Sequence, residues 1–388
     1  MLKTDYFDRQ NKVLGPETGE KIKNTSILVV GVGAGGNELL KNLLLMGFGR
    51  FTIVDFDFIE DSNLSRTTLF RKEDIGKSKA LVAADRLTEL SLHDNPEIKG
   101  IHGNIMHDIG PGIFIRHDIV VCCVDTMKAR AYINDWCVRL KKPFFEMGFD
   151  HMNVDISFLD PSIENAPCLR EIIGQVDFAE NRNSCSGLKM QDAQLAHIPT
   201  IQVASAMAGV LVATEIIKYL QGTSSIQNQI LQYYGANQRM NVFGINRSPL
   251  CQIHNEPPLL YIGMHAGNQI SVMDFLQLIN TKFSDYCILI LPERFVLKGV
   301  CEGCGKEIAF NKLFSLIYDE QRWCVDCRPE QNSNFKGDWN IVSSLHLKME
   351  DQGILNKKLS ELGVPPMAML AVIGISDDLA KYYNVLID

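Results

Sequence analysis

The sequence lacks any uninterrupted hydrophobic run long enough to span a membrane. Its most apolar stretch, residues 198–220, is broken by Gln202, Glu215 and Lys218, which favours a buried core helix over a membrane span. The first residues, MLKTDYFDRQNK, also lack the apolar segment of a secretory signal. These two absences predict a cytoplasmic protein with no membrane partner.

A surplus of basic charge is absent as well. The 388 residues carry a formal net charge of −8, which disfavours broad binding to nucleic acids or anionic lipid surfaces. Eleven cysteines without an export signal indicate metal ligands, a nucleophile and core residues rather than disulfides.

The sequence does contain a regular alternation of strand and helix patterns. A continuous apolar run at residues 26–31 ends in glycine, a helical pattern follows, and FTIVD (51–55) predicts the next strand. Continued alternation predicts an α/β domain over residues 1–255, with a Rossmann-like, doubly wound and mostly parallel sheet. Residues 159–197 break the pattern, and we interpret them as a long crossover segment.

A linker-like composition at residues 247–258 precedes a different pattern of short strands and helices. This pattern predicts a smaller α+β domain over residues 259–388. Its predicted helices include ILNKKLSELG (354–363) and DDLAKYYNVL (377–386).

The turn after the first strand is rich in glycine and opens a helix. Gly31, Gly33, Gly35 and Gly36 would let the backbone approach a phosphate at the positive end of that helix. Asp55 follows at the spacing of a ribose-binding acid. These features alone leave a nicotinamide-dependent oxidoreductase open.

The stretch SNLSRTTLFRKEDIGKSKA, residues 62–80, places Arg66, Lys77 and Lys79 just beyond this motif. A dinucleotide carries about two negative charges, whereas ATP carries about four at one end, and chemistry at its phosphates requires fixed cations. The stretch therefore favours a nucleoside triphosphate, with a solvated charged loop as the alternative.

Four motifs resemble the ThiF/MoeB/HesA superfamily, which includes the ubiquitin-activating enzymes. GVGAGGNE, VDFDFIEDSNLSRTTLF, GKSKA and CCVDTMKARAYIN occur in the order and spacing of that superfamily, over roughly residues 1–255. The resemblance implies that Asp55 binds ribose and that Asp57 orders the metal or the nucleotide. It also implies that Asn63 and Arg66 face the phosphates and that Lys79 binds the triphosphate.

The resemblance further implies that Asp125 holds Mg²⁺, with Arg130 and Asn134 bracing the site. The N-terminal YFDRQNKVLGPETGEKI is similar to a family motif whose arginine reaches the phosphates of the neighbouring protomer. Carried over to Arg9, this similarity implies a homodimer whose two sites are completed in trans. Without it, a mobile basic terminus would be the interpretation.

Cys185 lies in the crossover segment, within NSCSGLKMQD, between Arg182 and Lys189. Nearby cations lower the pKa of a thiol and raise its thiolate fraction. The resemblance implies that this cysteine accepts an acyl group as a thioester, although sulfur-carrier-activating relatives carry a cysteine here too. A free surface cysteine is the alternative. Other cysteines in apolar patterns are expected in the core: Cys122, Cys123, Cys137 and Cys287.

The smaller domain contains two C-x2-C pairs separated by nineteen residues: Cys301 with Cys304, and Cys324 with Cys327. This spacing predicts a closed tetrahedral Zn²⁺ site of the zinc-ribbon type with a folding role. An iron–sulfur centre or a redox dithiol is the alternative.

The superfamily often has another zinc site, built from one C-x2-C in the crossover segment and one after the last strands. This sequence departs from that pattern, because the corresponding residues are Cys168, Glu171, Cys251 and His254. Binding of a metal by this mixed set and loss of the metal both stay open.

The motifs together predict an ATP-dependent activating enzyme that uses ATP, Mg²⁺ and Zn²⁺. It would adenylate the C-terminal carboxylate of a ubiquitin-like protein ending in glycine and then form a thioester at Cys185. The main alternative is adenylation of a sulfur-carrier protein of the molybdopterin or thiamine type, without conjugation. Small-molecule or tRNA adenylation, a NAD-dependent oxidoreductase and an inactive scaffold are remoter alternatives. Residues 259–388 would dock the carrier or a conjugating enzyme.

Overall fold

The structure is a computed structural model that describes residues 6–174, 201–255, 259, 261–284, 286–301, 304–313, 339–348, 352–376 and 379–388. The chain divides into two compact units. The first comprises Met1–His107 and Ile113–Pro258, and the second comprises Asp108–Gly112 and Leu259–Asp388. The short segment Asp108–Gly112 joins the second unit through backbone hydrogen bonds, from Gly110 N to Pro366 O and from Gly112 N to Met367 O.

An eight-stranded sheet forms the centre of the first unit, in the order β3-β2-β1-β4-β5-β6-β7-β8. The strands from β3 to β5 in this order are parallel, and β6, β7 and β8 extend the sheet with antiparallel pairs. The Rossmann-like α/β prediction is confirmed, with an antiparallel half added to the parallel one. The strands are β1 (Ser26–Val30), β2 (Arg50–Asp55), β3 (Glu97–His102), β4 (Ile119–Cys122), β5 (Phe144–Asp150), β6 (Asn153–Leu159), β7 (Gln229–Tyr234) and β8 (Arg239–Gly244).

Helices connect and cover these strands. The longest pack their apolar residues onto the sheet, and the buried core of this unit consists mainly of the inner faces of β1, β2, β5 and β6 with α3, α4 and α8. Up to residue 258 the described helices are α1 (Asp8–Leu14), α2 (Pro16–Asn24), α3 (Ala34–Leu45), α4 (Lys79–Leu90), α5 (Gly112–Ile115), α6 (Met127–Leu140), α7 (Arg170–Ile173), α8 (Gln202–Gln221) and α9 (Gln252–Asn255).

Helix α8 is the apolar stretch recognised in the sequence. By length and composition alone it could cross a membrane, but half of its most apolar eighteen residues are buried inside the protein. It packs closely on α3, since a Cβ added at Gly209 would lie 2.8 Å from Glu38 Cβ. A core helix of a soluble protein passes the same test, so α8 is weak support for a membrane span.

The second unit is built on a six-stranded sheet. Its main path has the order β11-β10-β13-β14-β9, and β12 pairs with β10. Strands β14 and β9 are parallel, and the other pairs are antiparallel. The elements are β9 (Tyr261–Met264), α10 (Val272–Phe283), β10 (Tyr286–Val300), β11 (Glu307–Leu313), β12 (Trp339–Leu345), α11 (Gln352–Leu355), a 3₁₀ turn (Leu359–Leu362), β13 (Met369–Ser376) and β14 (Leu379–Ile387).

Two predicted helices of this unit are wrong. Residues 377–386 were expected to be helical, but β14 covers most of them, because Val385 and Ile387 are buried on one face while Tyr382 is 79% exposed on the other. Residues 354–363 form the end of α11 and a 3₁₀ turn instead of one helix. In that turn Leu359 and Leu362 are buried, and Gly363 in the left-handed region ends it.

Candidate functional site

The glycine turn between β1 and α3 allows two close backbone approaches. Gly31 has a φ of 91°, and a Cβ there would lie 2.6 Å from Cys123 O. A Cβ at Gly36 would lie 2.2 Å from Gly31 O. Gly33 differs, because it precedes α3 with nothing within 4 Å of its would-be Cβ. The turn is therefore open at Gly33, where the N-terminus of α3 can receive an anion.

Two buried polar side chains fix the shape of this turn. Asp55, at the end of β2, accepts hydrogen bonds from Val32 N at 2.7 Å and Asp57 N at 2.8 Å. Burial raises the pKa of Asp55 above its ordinary value. Asn37 is fully buried, donates from Nδ2 to Val32 O and accepts from Leu69 N, so it joins the turn to the segment after SNLSR.

The segment from Asp57 to Lys79 closes on itself. Lys79 N donates to Asp57 O at 3.1 Å, and an isolated bridge pairs Phe58 with Ser78. Asn63 is buried, and its backbone carbonyl oxygen accepts a hydrogen bond from Arg66 N at 3.0 Å. The structure therefore places Asn63 and Arg66 together on one loop, whose ends lie at the carboxyl end of β2.

Lys79 and Asp57 form an ion pair. Lys79 Nζ lies 2.9 Å from Asp57 Oδ2, and the two side chains are 12% and 48% exposed. Lys77 is occupied elsewhere, with its Nζ 3.1 Å from Asp74 Oδ1. Of the two lysines in GKSKA, Lys79 is the one held beside Asp57.

Asp125 lies at the same edge of the sheet. It is exposed in the turn between β4 and α6, and the next residue, Thr126, is the N-cap of α6. The turn is tied to the end of β1, because Cys123 N donates to Val30 O at 2.7 Å. Parallel neighbours β1 and β4 thus bring the glycine turn and Asp125 together, as the carboxyl edge of such a sheet does for ligands.

Arg130 and Asn134, on α6, have bracing contacts. Arg130 pairs with the buried Glu146 of β5, and Asn134 Oδ1 accepts from Leu169 N at 2.8 Å. Sequence reasoning missed Glu146. Its signal was a glutamate inside the apolar strand PFFEMG, where a buried charge requires a partner.

Arg9 is exposed on α1, at the far end of α3 from its own glycine turn. Helix α1 is held there by Gln10, whose Nε2 donates to Met46 O at 2.7 Å. Since α3 has twelve residues, about 18 Å separates its two ends. The Arg9 side chain is shorter than this distance.

Cys185 lies outside the described residues, as do Arg182 and Lys189. Among the other cysteines, Cys122 is completely buried, and burial raises its pKa to about 12. It therefore remains a protonated thiol at neutral pH. The expected core location is confirmed for Cys122, Cys137 and Cys287, whereas Cys123 is partly exposed.

Four candidate metal ligands converge from α7, from α9 and from the residues just before each helix. They are Cys168, Glu171, Cys251 and His254. Their four ligand atoms lie within 4.8 Å of one another, and the four side chains are almost entirely buried. Cys168 Sγ and Cys251 Sγ are 3.8 Å apart, and His254 Nε2 lies 3.2 Å from Glu171 Oε1. His254 Nε2 has no hydrogen-bond partner of suitable geometry within the described part of the chain.

This donor cluster fits a tetrahedral metal ion. Two thiolates bound to Zn²⁺ at about 2.3 Å lie about 3.8 Å apart at the corners of a tetrahedron, which agrees with the Sγ–Sγ distance. Helix α6 braces the cluster through Asn134 and through Asp135, which forms two hydrogen bonds with Arg170.

The two cysteines of the first C-x2-C in the second unit differ in exposure. Cys301 is buried and Cys304 exposed, and Gly305, with a φ of 71°, donates from its N to Cys301 O at 2.7 Å. Cys324 and Cys327 lie outside the described residues. The four-cysteine zinc site therefore stays a prediction.

The sequence profile of the ThiF family matches residues 7–253, well over half of the chain. The chain belongs to the ThiF family. This assignment confirms the resemblance found in the four motifs, and the glycine turn and the loops around it lie within the matched region.

The chain covers a small part of some relatives and nearly all of others. The SUMO-activating enzyme subunit 2 of Dictyostelium discoideum is 39% identical over 138 residues, which is 35% of this chain and 21% of the relative. The sulfur carrier protein adenylyltransferase of Thermus thermophilus is 29% identical over 262 residues, which is 66% of this chain and 92% of the relative. The chain thus spans about a fifth of the first relative.

Among solved structures, a crystal structure of E. coli MccB with ATP has a TM-score of 0.53 and 21% sequence identity. The match covers 65% of this chain and 74% of that one. At this level of identity the likeness shows a shared fold.

Proposed function

We propose that this protein is an ATP-dependent adenylyltransferase that activates the C-terminal carboxylate of a small carrier protein ending in glycine. One observation carries the proposal: a glycine turn, a loop bearing Lys79 and Arg66, and the exposed Asp125 all lie at the carboxyl edge of the parallel strands. A nicotinamide cofactor would require the glycine turn and Asp55, but it would give no role to the other groups.

The proposed first step is an attack of the carrier carboxylate on the α-phosphorus of ATP. A new phosphorus–oxygen bond forms, the bond to pyrophosphate breaks, and an acyl-adenylate results. Lys79 would stabilise the negative charge on the leaving pyrophosphate, because its ammonium has three donors and Asp57 occupies one. Arg66 would act from the same loop.

The residues present also fit the Mg²⁺ that this chemistry implies. Asp125 is exposed and Asp57 is half exposed, and carboxylate oxygens are the ligands that Mg²⁺ prefers. When bound, Mg²⁺ would offset part of the charge of the triphosphate. Asp57 and Asp125 are the residues that would hold it.

We also propose a homodimer, which the position of Arg9 supports. Because α3 separates Arg9 from its own glycine turn by about 18 Å, Arg9 can contact phosphates only in the site of a second copy. Its location on an exposed helix, α1, is compatible with that role.

The second proposed step transfers the acyl group to Cys185. Its thiolate would attack the acyl carbon, AMP would leave, and a thioester would form. The local 39% identity to a SUMO-activating subunit supports this branch. Delivery of the adenylate to sulfur chemistry is the second candidate, and the 92% coverage of the Thermus thermophilus relative favours it.

We also propose that Cys168, Glu171, Cys251 and His254 bind one Zn²⁺, and that the four cysteines of the second unit bind another. Both sites would be structural, since four protein ligands leave no open coordination position. The first Zn²⁺ would join the chain segment around α7 to the segment around α9, since each supplies two of its ligands.

The test is an incubation with ATP, Mg²⁺ and glycine-ended carriers of the ubiquitin-like and sulfur-carrier classes. We expect exchange of labelled pyrophosphate into ATP with one class, and a thiol-labile adduct on a non-reducing gel that disappears in Cys185→Ser. Exchange without that adduct would select the sulfur-carrier branch. Absence of exchange with every carrier would contradict the adenylation itself.

A further inference from the structure

Resting on the proposed adenylation, we propose that Arg130 is a positioning residue that fixes the turn carrying Asp125, and that Glu146 locks Arg130 in place. The resemblance to the ThiF superfamily gave Arg130 no more than a general bracing role. The structure gives it a specific target.

The guanidinium of Arg130 makes three contacts at once. Its Nε donates to Val124 O at 3.0 Å, its Nη2 donates to Met147 O at 3.3 Å, and its Nη1 pairs with Glu146 Oε1. Val124 precedes Asp125, and Met147 belongs to β5. Arg130 therefore links the Asp125 turn to the neighbouring strand.

The contact with Val124 O bears directly on Asp125. A carbonyl and the N–H of the next residue belong to one rigid planar unit. Holding Val124 O therefore fixes the peptide plane from which Asp125 extends. On its other side the same turn lies against the glycine turn, where Cys123 O would be 2.6 Å from a Cβ at Gly31. Contacts with Gly31 on one side and with Arg130 on the other therefore hold the Asp125 turn in place.

Glu146 holds the Arg130 side chain in position through a buried ion pair. Its side chain is 5% exposed and that of Arg130 is 16% exposed, so each would be an uncompensated buried charge without the other. Burial by itself would lower the pKa of Arg130, but the Glu146 carboxylate raises it above its ordinary value. The arginine thus stays charged while it holds three acceptors.

An arginine is required for this arrangement. A planar fork can reach a carboxylate and two carbonyls simultaneously, whereas a lysine ammonium is a single point donor. Gly148 leaves room for the fork, since a Cβ there would lie 3.3 Å from Arg130 Nη1.

The test measures nucleotide binding to the full-length protein with a fluorescent ATP analogue while the Mg²⁺ concentration is varied. The variants are Arg130→Lys, Glu146→Gln and, as a reference for loss of the metal ligand, Asp125→Asn. Arg170→Lys is the matched control, because Arg170 also pairs with a carboxylate of α6, but that pair, with Asp135, joins α6 to α7. Thermal unfolding is recorded for each variant.

We expect Arg130→Lys and Glu146→Gln to raise the half-saturating Mg²⁺ concentration by about tenfold, as loss of a residue that orients a metal ligand does. Binding without Mg²⁺ should stay within about twofold of the wild type, and Arg170→Lys should leave the Mg²⁺ midpoint unchanged. If Arg130→Lys does not fold, Glu146→Gln decides the question. An unchanged midpoint in both variants, or a wild type whose binding ignores Mg²⁺, would overturn the inference. Mg²⁺-dependent binding without pyrophosphate exchange would contradict the proposed function alone.

Discussion

The first unit contains two polar clusters that differ in openness. At the carboxyl edge of the parallel strands, Asp57 is 48% exposed and Asp125 is exposed, and Lys79 reaches Asp57 with donors to spare. At the donor cluster of Cys168, Glu171, Cys251 and His254, the side chains are almost entirely buried and face one another.

This difference supports the proposed assignment of a reactive site to the sheet edge and a structural site to the donor cluster. In the proposed mechanism substrates enter the first cluster, which agrees with the unused hydrogen-bonding capacity of its groups and their access to solvent. The second cluster has brought four donor atoms to one point and left none of them for a substrate, which is the arrangement of a closed metal site. Variants should therefore affect catalysis at the edge of the sheet and stability at the donor cluster.

The largest effect is expected from Lys79→Ala at the open edge. Removing the cation that we propose faces the leaving pyrophosphate should slow ATP–pyrophosphate exchange by about 10²–10³-fold, as does loss of one charge-stabilising donor in other enzymes. The rate of exchange at saturating ATP and carrier is the measurement.

Lys77→Ala is the matched control, because Lys77 is two residues away and pairs with Asp74. It should change the rate by less than about threefold. Equal effects of the two substitutions would show that the loop matters only as a charged surface.

Two glycines of the turn between β1 and α3 give a second comparison, between an effect on binding and an effect on stability. Gly33→Ala introduces no clash, because nothing lies within 4 Å of its Cβ, whereas a Cβ at Gly36 would lie 2.2 Å from Gly31 O. Gly33→Ala should weaken ATP binding by about tenfold at unchanged stability, because the backbone must approach a phosphate there. Gly36→Ala should lower the melting temperature.

Calorimetric titration with ATP and thermal unfolding distinguish the two effects. If Gly33→Ala binds ATP as the wild type does, the phosphates do not pass this residue.

Much of the open edge could be predicted from the sequence because its signals are local. Gly31 and Asp55 flank strands buried on both faces, and such strands give continuous apolar runs that are easy to recognise. The loop bearing Asn63 and Arg66 was recognised through a resemblance, since its charges alone fit a solvated surface equally well.

The donor cluster and the Arg130–Glu146 pair could not be predicted in the same way. Cys168 and Cys251 are 83 positions apart, and only the fold determines that their sulfur atoms lie 3.8 Å apart. Strand β14 was missed for a related reason: its Tyr-Tyr-Asn-Val core fits either pattern, and pairing with β13 and β9 decides the outcome.

Metal content tests the closed cluster. We expect about two Zn²⁺ per chain in the wild type and about one in either Cys168→Ser or Cys301→Ser, because the two sets of ligands are separate. A metal bound at a hundredfold excess over its dissociation constant adds about 2.7 kcal/mol of stability. Its loss in Cys168→Ser should therefore lower the melting temperature by roughly 5–11 °C.

Elemental analysis and thermal unfolding, each with and without a chelator, are the measurements. Cys137→Ser is the matched control, since Cys137 is a buried core thiol outside both sets. It should keep about two Zn²⁺. Unchanged metal content in Cys168→Ser would contradict the proposed site.

The smallest effect concerns His117, a buried polar group that belongs to neither cluster. Its Nδ1 donates to Ile113 O at 2.7 Å and its Nε2 accepts from the Thr52 hydroxyl at 2.8 Å, so the neutral ring is fully paired. Burial lowers the pKa of His117, and the positive charges of Lys142 and Arg116 lower it further, while Ile113 O and Asp118 act in the opposite direction.

Because the pKa of His117 is lowered in the folded protein, this histidine changes the free energy of unfolding with pH in one direction. In the unfolded chain a histidine takes up a proton near pH 6.5, but the folded protein resists protonation at that pH. The free energy of unfolding should therefore fall as the pH drops below about 6.5, until the folded state is protonated as well. Denaturant unfolding at a series of pH values should show a shallower decline for His117→Gln than for the wild type. An identical decline in the two proteins would mean that other groups cause it.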